Sequence, residues 1–212
     1  MQGKGGTDPG AKEEKQMAYE LKSARFLARD VLTRAISEGD TVVDATAGNG
    51  HDTAFLCEAV GAAGRVYAFD VQPEAIRATR GRLEEAGLLE RAALIQDGHE
   101  HMERYVREAP SAIVFNLGWL PGGDHQVTTR WATTERAVRT GLEALRPGGV
   151  MVICAYPGHA EGERERQGLT GLLSGLDNRR YNVLEQRFLN AGDGAPECFV
   201  IQKQESGRKT AR

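Results

Sequence analysis

Cysteine is scarce in this chain: Cys57, Cys154 and Cys198 lie far apart and form no C-x-x-C pair. That leaves no disulfide framework and no zinc spacing, and an odd, scattered set fits buried thiols in a reducing cytoplasm. An excess of charge is missing too. The formal net charge is −3, so no global basicity announces a nucleic-acid partner, although a local patch can still bind one. No apolar run approaches the roughly 20 residues that span a bilayer. The opening MQGKGGTDPG holds no apolar stretch of a secretory signal. The expectation is a protein of the cytoplasm with no membrane attachment. Internal repeats and low-complexity core segments are absent as well.

What is present is an ordinary globular composition, with 40% hydrophobic and 27% charged residues over 212 positions, enough for one domain with a real core. Residues 1–16 are polar and Gly-rich and read as a loose arm. Residues 17–203 form the domain, and 204–212 a short basic tail. Within the domain, strands and helices alternate. Leu21, Ala24, Ala28, Val31 and Ala35 space a helix over 17–38, stopped by Gly39. TVVDAT (41–46), RVYAFD (65–70), AALIQ (92–96), SAIVFN (111–116) and VMVICAY (150–156) read as strands. Helices are expected over 51–61, 73–87 and 133–146. A further one runs through Leu169, Leu172, Leu173 and Leu176, weakened by Gly168, Gly171 and Gly175. YNVLEQRFL (181–189) and ECFVIQK (197–203), joined by a turn-rich segment, form an antiparallel hairpin. The expected fold is α/β: a doubly wound, seven-stranded sheet, parallel except for that C-terminal hairpin.

In such a sheet ligands bind beyond the carboxyl ends of the strands, and there the chain concentrates its polar and Gly-rich segments. The first strand is followed by Asp44, Thr46, Gly48, Asn49, Gly50 and Asp52, the second by Asp70 and Gln72, and the third by Asp97, Gly98 and His99. The fourth ends in Asn116-Leu117-Gly118-Trp119. Glycines let backbone approach a ligand closely. A carboxylate after the second strand suits the two hydroxyls of a ribose, and Asp44 suits an amino group. Asp97, Gly98 and His99 are placed to touch an adenine ring and its amino group. Together with the LRPGG turn (145–149), these features point to S-adenosylmethionine and the Rossmann-like fold of class I methyltransferases. A dinucleotide site would need G-x-G-x-x-G, and Thr53 stands where the third glycine belongs. His99, Glu100 and His101 do not converge as metal ligands, because adjacent positions point apart; no metal is expected.

VVDATAGNGHDTAFL, FNLGWLPGGDH with the following Thr128-Thr129, and YPGHAEGERE together resemble a bacterial family once labelled putative rRNA methylases, now associated with tRNA 5-aminomethyl-2-thiouridine methyltransferase. The resemblance covers about residues 20–203. It implies N-methylation of a 5-aminomethyl group on the tRNA wobble uridine, S-adenosylmethionine as donor, and homodimers. It also implies cofactor contacts at Asn49, Asp52, Asp70, Gln72, Asp97 and His99.

The residues themselves agree with an amine acceptor. Asn116-Leu117-Gly118-Trp119 is laid out like the N-P-P-Y/F segment of amino methyltransferases, with Asn116 accepting from the amine and Trp119 stacking on the base. Without the prolines, the carbonyl role of Leu117 is open. An alkyl amine must be neutral to attack, and Asp124, His125 and Tyr156 are candidates to line its pocket. His159 either borders that pocket or finishes a turn. Arg130, Arg136, Arg139, Arg164, Arg166, Arg179, Arg180 and the tail's Arg208, Lys209 and Arg212 could meet phosphates, with Glu161, Glu163 and Glu165 muting part of that field. Alternatives are a methyltransferase acting on rRNA or a small amine, and a cofactor-binding protein without catalysis.

Overall fold

The computed structural model describes residues 23–123, 126–192 and 194–205. The expected N-terminal arm, the first residues of the first helix, the basic tail beyond residue 205, and the candidates Asp124 and His125 lie outside the described residues.

Ser23 caps α1 (Ala24–Ala35) by accepting the Phe26 N–H at 3.2 Å. Ala24, Ala28 and Leu32, four residues apart, form its buried face. The helix stops at Ala35, the last of its spaced apolar residues, three residues before the expected end at 38. Asp40 accepts the Ser37 N–H at 2.9 Å, and Gly39, at φ +87°, turns the chain. Then follow β1 (Thr41–Asp44), α2 (His51–Val60), β2 (Arg65–Phe69), α3 (Pro73–Glu85), β3 (Ala92–Ile95), β4 (Ala112–Asn116), α4 (Trp131–Ala144), β5 (Val150–Ala155), α5 (Ala160–Ser174), β6 (Tyr181–Gln186) and β7 (Glu197–Lys203). A 3-10 segment, His99–Arg104, links β3 to β4. Strand β6 ends three residues short of the expected span.

The seven strands lie in the order β3-β2-β1-β4-β5-β7-β6. The first five are parallel, while β7 runs antiparallel to both β5 and β6. This is the expected doubly wound sheet with its C-terminal hairpin. Side chains alternate between two cores. Val42, Val152 and Cys154 pack on the side of α1 and α2, and Val43, Ile153 and Phe199 on the side of α4 and α5. With both faces covered, β5 is buried along its whole length. Each fully buried Ile or Phe in these two cores contributes about 1.5–3 kcal/mol. The glycines of α5 do not break it. Gly168 lies against the Trp131 indole, where any Cβ would collide with the ring, so the glycine serves close packing of α5 on α4. The strand order reverses between β1 and β4, and the loops leaving their carboxyl ends open a crevice there.

Candidate functional site

A cavity of about 700 Å³ fills that crevice. Its walls come from the ends of β1, β2, β3, β4 and β5, and most of the sequence-predicted residues line it.

The loop after β1 is held by its own polar groups. Asp44 is completely buried and lies beneath the loop, not on the cavity wall. Its carboxylate accepts the Thr53 hydroxyl at 2.6 Å and the Thr46 N–H at 3.1 Å. Burial pushes its pKa up to about 7. Thr53 therefore stands in the third-glycine position for a reason: its hydroxyl is the partner of that carboxylate. Gly50 caps α2 at φ +76°, and a Cβ there would lie 2.7 Å from the Thr79 Cα. Backbone geometry and the close approach of α3 both demand glycine.

Asp70, at the end of β2, accepts the N–H of Gly48 at 2.9 Å and of Gln72 at 3.0 Å, one on each oxygen. Burial raises its pKa. Each oxygen keeps a lone pair, so Asp70 can still receive two hydroxyls. Asn49 donates to the Pro121 carbonyl at 3.2 Å, and its own carbonyl receives Arg82 Nε at 2.8 Å. The loops after β1 and β4 are thereby tied across the cavity.

Asp97 accepts from the Gly98 N–H, the His101 ring and the Tyr105 hydroxyl at 2.8–2.9 Å. Chiefly the hydrogen bond from His101, with those from Tyr105 and Gly98, holds its pKa down to about 2. His101 thus belongs to Asp97, while His99 turns inward. His99 Nδ1 lies 3.1 Å from the Ala45 carbonyl. A carbonyl only accepts, so that nitrogen carries the proton, and Nε2 is a buried acceptor without a partner on a residue of the cavity wall. Desolvation lowers the His99 pKa, which favours this neutral ring.

On the β4 side, the Asn116 N–H donates to Thr46 Oγ1 at 2.7 Å. Its side-chain Nδ2 donates to Asp52 at 2.9 Å, and its Oδ1 is buried with no partner. The Asp52 carboxylate also receives Arg25 and Arg29, each at 3.0 Å. This cluster was invisible in the sequence, because Asp52 lies 23 to 64 positions from the partners it meets. Gly118, at φ +123°, donates its N–H to Thr129 Oγ1 at 2.7 Å. That hydroxyl donates in turn to Glu165 at 2.8 Å, and Glu165 also accepts from Thr134 at 2.6 Å.

Glu165 is buried and serves this loop; it does not offset surface charge as the sequence suggested. Its place on the Leu169–Leu173 stripe, one turn earlier, was the available signal. Trp119 reaches the cavity and packs its ring on His159, centroids 4.4 Å apart. His159 lines the cavity, and its Nδ1 caps α5 by accepting the Gly162 N–H at 3.1 Å. Tyr156 lines the same wall, with burial pushing its phenol up to about 12.

The candidate phosphate-binding arginines are mostly engaged. Arg139, Arg164, Arg166, Arg179 and Arg180 each hold a carboxylate at 2.6–3.0 Å. Arg130 is exposed at the cavity rim. Among the described residues no group of three His, Cys, Asp or Glu is placed to hold a metal ion, and no helix is long and apolar enough to cross a membrane.

A family model described as "Putative rRNA methylase" matches residues 66–202. The chain is 37% identical over 193 residues to "tRNA (mnm(5)s(2)U34)-methyltransferase, chloroplastic" of Arabidopsis thaliana, a match covering 86% of this chain and 70% of that protein. Among solved structures, a putative rRNA methylase from Clostridium thermocellum superposes with a TM-score of 0.85 at 39% identity, covering 87% of this chain and all of the other. A putative methyltransferase from Streptococcus mutans, solved in complex with SAH, gives a TM-score of 0.79 at 34% identity over 87% of this chain and 99% of its own. A Rossmann-like sheet, a crevice at its switch point and a family match over most of the sheet lead to one conclusion: this chain belongs to the family described as Putative rRNA methylase.

Proposed function

We propose that this protein methylates the nitrogen of a 5-aminomethyl group on the wobble uridine of tRNA. At the coarser level it is an S-adenosylmethionine-dependent methyltransferase. The residues present fit that cofactor. Asp70 has a free lone pair on each oxygen for a ribose diol, Gly48 brings bare backbone to the cavity wall, and His99 Nε2 is an acceptor that an adenine amino group could satisfy. When bound, S-adenosylmethionine supplies a methyl carbon that a neutral amine can attack.

The observation that carries the amine reading is the Asn116 amide. A carboxylate cannot donate, so the group facing Asp52 is the NH2 and the oxygen is the free end. A buried acceptor costs about 1–3 kcal/mol while unpaired, and an amine N–H would relieve that cost. With its N–H bonded to Asn116, the amine's lone pair is left free to point elsewhere, as attack requires. Trp119, at the rim, offers an aromatic face for the base. The tRNA substrate named for the Arabidopsis relative supports the same acceptor.

The test is methyl transfer from labelled S-adenosylmethionine to two tRNA samples, one carrying 5-aminomethyl-2-thiouridine at the wobble position and one an unmodified transcript. Label on the modified sample alone, recovered as the methylaminomethyl nucleoside, is expected. Label on rRNA or on a free amine instead would replace this acceptor.

A further inference from the structure

We propose that Asp52 is a positioning residue, not a cofactor contact: held by Arg25 and Arg29, it locks the Asn116 amide with its oxygen toward the acceptor amine. The inference rests on the amine reading of the site.

The Asp52 carboxylate is already surrounded. Arg25 reaches it through Nε at 3.0 and 3.3 Å and through Nη2 at 3.0 Å, Arg29 through Nε at 3.3 Å and Nη2 at 3.0 Å, and Asn116 Nδ2 at 2.9 Å. The two arginines stand four residues apart on α1 and so present one face to it. Its side chain is only 13% exposed. Two cations on one carboxylate exceed what charge balance needs, but they fix both oxygens in place. Arg29 also donates to the His51 carbonyl at 3.2 Å, which ties α1 to the start of α2.

Fixing the carboxylate matters because an amide reads either way round at little cost in shape. Turned over, Asn116 would present an NH2. That donor would bond to the amine's lone pair, the electron pair that must form the new C–N bond. The lock therefore selects the reactive orientation of the acceptor, while contributing little to its affinity or to that of the cofactor. Replacing Asp52 by Asn removes the selection. With the arginines donating to its single oxygen, the new side chain would offer its own NH2 to Asn116, which would then turn its oxygen to residue 52 and leave its NH2 as the free end.

Two measurements on the full chain test this. The first needs neither RNA nor cofactor. In a nitrogen-15 spectrum, the Asn116 side-chain NH2, assigned through that residue's own backbone resonances in the unmutated protein, should exchange with solvent at least about tenfold more slowly than exposed asparagines. Protection should vanish in Asp52→Asn and in the Arg25→Gln, Arg29→Gln pair. An unprotected Asn116 amide in the unmutated protein would overturn the lock, even if no variant folded. The second compares kinetics with binding. Asp52→Asn should lower kcat about 100-fold while the Kd for S-adenosylmethionine, by calorimetry, stays within about threefold. A tenfold or larger rise in that Kd, with kcat at saturating cofactor unchanged, would make Asp52 a cofactor contact and overturn the proposal. If the unmutated protein transfers no methyl to the modified tRNA, the acceptor reading fails, whereas the exchange measurement still decides whether the lock exists.

Discussion

The loops leaving β1 and β4 face each other across one cavity, yet they are built on opposite rules. After β1, the polar groups are satisfied by the protein itself. Asp44 is closed by Thr53 and Thr46, Gly48 by Asp70, and the Asn49 carbonyl by Arg82. After β4, acceptors are left over: Asn116 Oδ1 and Thr128 Oγ1 are buried without partners, and Trp119 is 37% exposed. Closed polar networks rigidify, whereas open ones wait for a ligand. The β1 side is therefore a finished cradle, and the β4 side is completed by what it binds.

The sharpest way to break the finished side is Gly50→Ala. The substitution forces a side chain into φ +76° and places a Cβ 2.7 Å from the Thr79 backbone. Backbone strain and overpacking together should cost about 3–5 kcal/mol. Urea unfolding should report this loss. A loss under about 1 kcal/mol would mean that the loop adapts and is not rigid.

The second effect concerns Asp44. Its pKa in the folded chain is about 7, against 3.8 for an ordinary aspartate. A raised carboxylate pKa means that the folded state holds the proton longer. Its contribution to stability is full below about pH 4 and is lost as pH rises through about 7. In Asp44→Asn this part of the slope disappears, by a few kcal/mol at most across the window. Asp70 and Glu165 are also raised by burial and keep their own slopes, so the informative quantity is the difference between the two proteins, from urea unfolding at several values between pH 4 and 8. Identical slopes would show that Asp44 does not titrate in that range.

The open side should respond in function and not in stability. Trp119→Ala removes a partly exposed ring that packs on His159. Losing one stacked base costs about 1–3 kcal/mol, so KM for the modified tRNA should rise about tenfold or more, with melting temperature and cofactor affinity nearly unchanged. An unchanged KM would place the base elsewhere.

How much of this was legible follows the same division. Strand–helix alternation gave the sheet and its switch point, and position after a strand gave Asp70, Asn116 and Trp119, because those signals are local. Asp44 was legible as important but not as buried, since nothing local reveals that Thr53 would cover it. The Arg25–Arg29–Asp52–Asn116 cluster joins α1 and α2 to the end of β4, with three strands lying between α1 and β4 in the sequence. Periodicity assigns faces, but it does not say which charged groups on two faces will meet. Glu165 was misjudged for a related reason: its charge suggested solvent, while its spacing with Leu169 and Leu173 placed it inside.

The smallest expected effect separates a hydrogen-bond donor from a base. Tyr156 sits on the cavity wall just past the end of β5, and desolvation, reinforced by Cys154 nearby, pushes its phenol up to about 12. At neutral pH it is protonated almost without exception, so it can donate to a ligand but cannot take the amine's proton. Tyr156→Phe deletes only the hydroxyl. A lost neutral hydrogen bond is worth about 0.5–1.5 kcal/mol, so kcat should fall no more than about tenfold, and the pH–rate profile should keep its shape between pH 6 and about 10. Loss of a limb of that profile in the Phe variant would make Tyr156 the proton acceptor, and the β5 end of the cavity would then join the unfinished side.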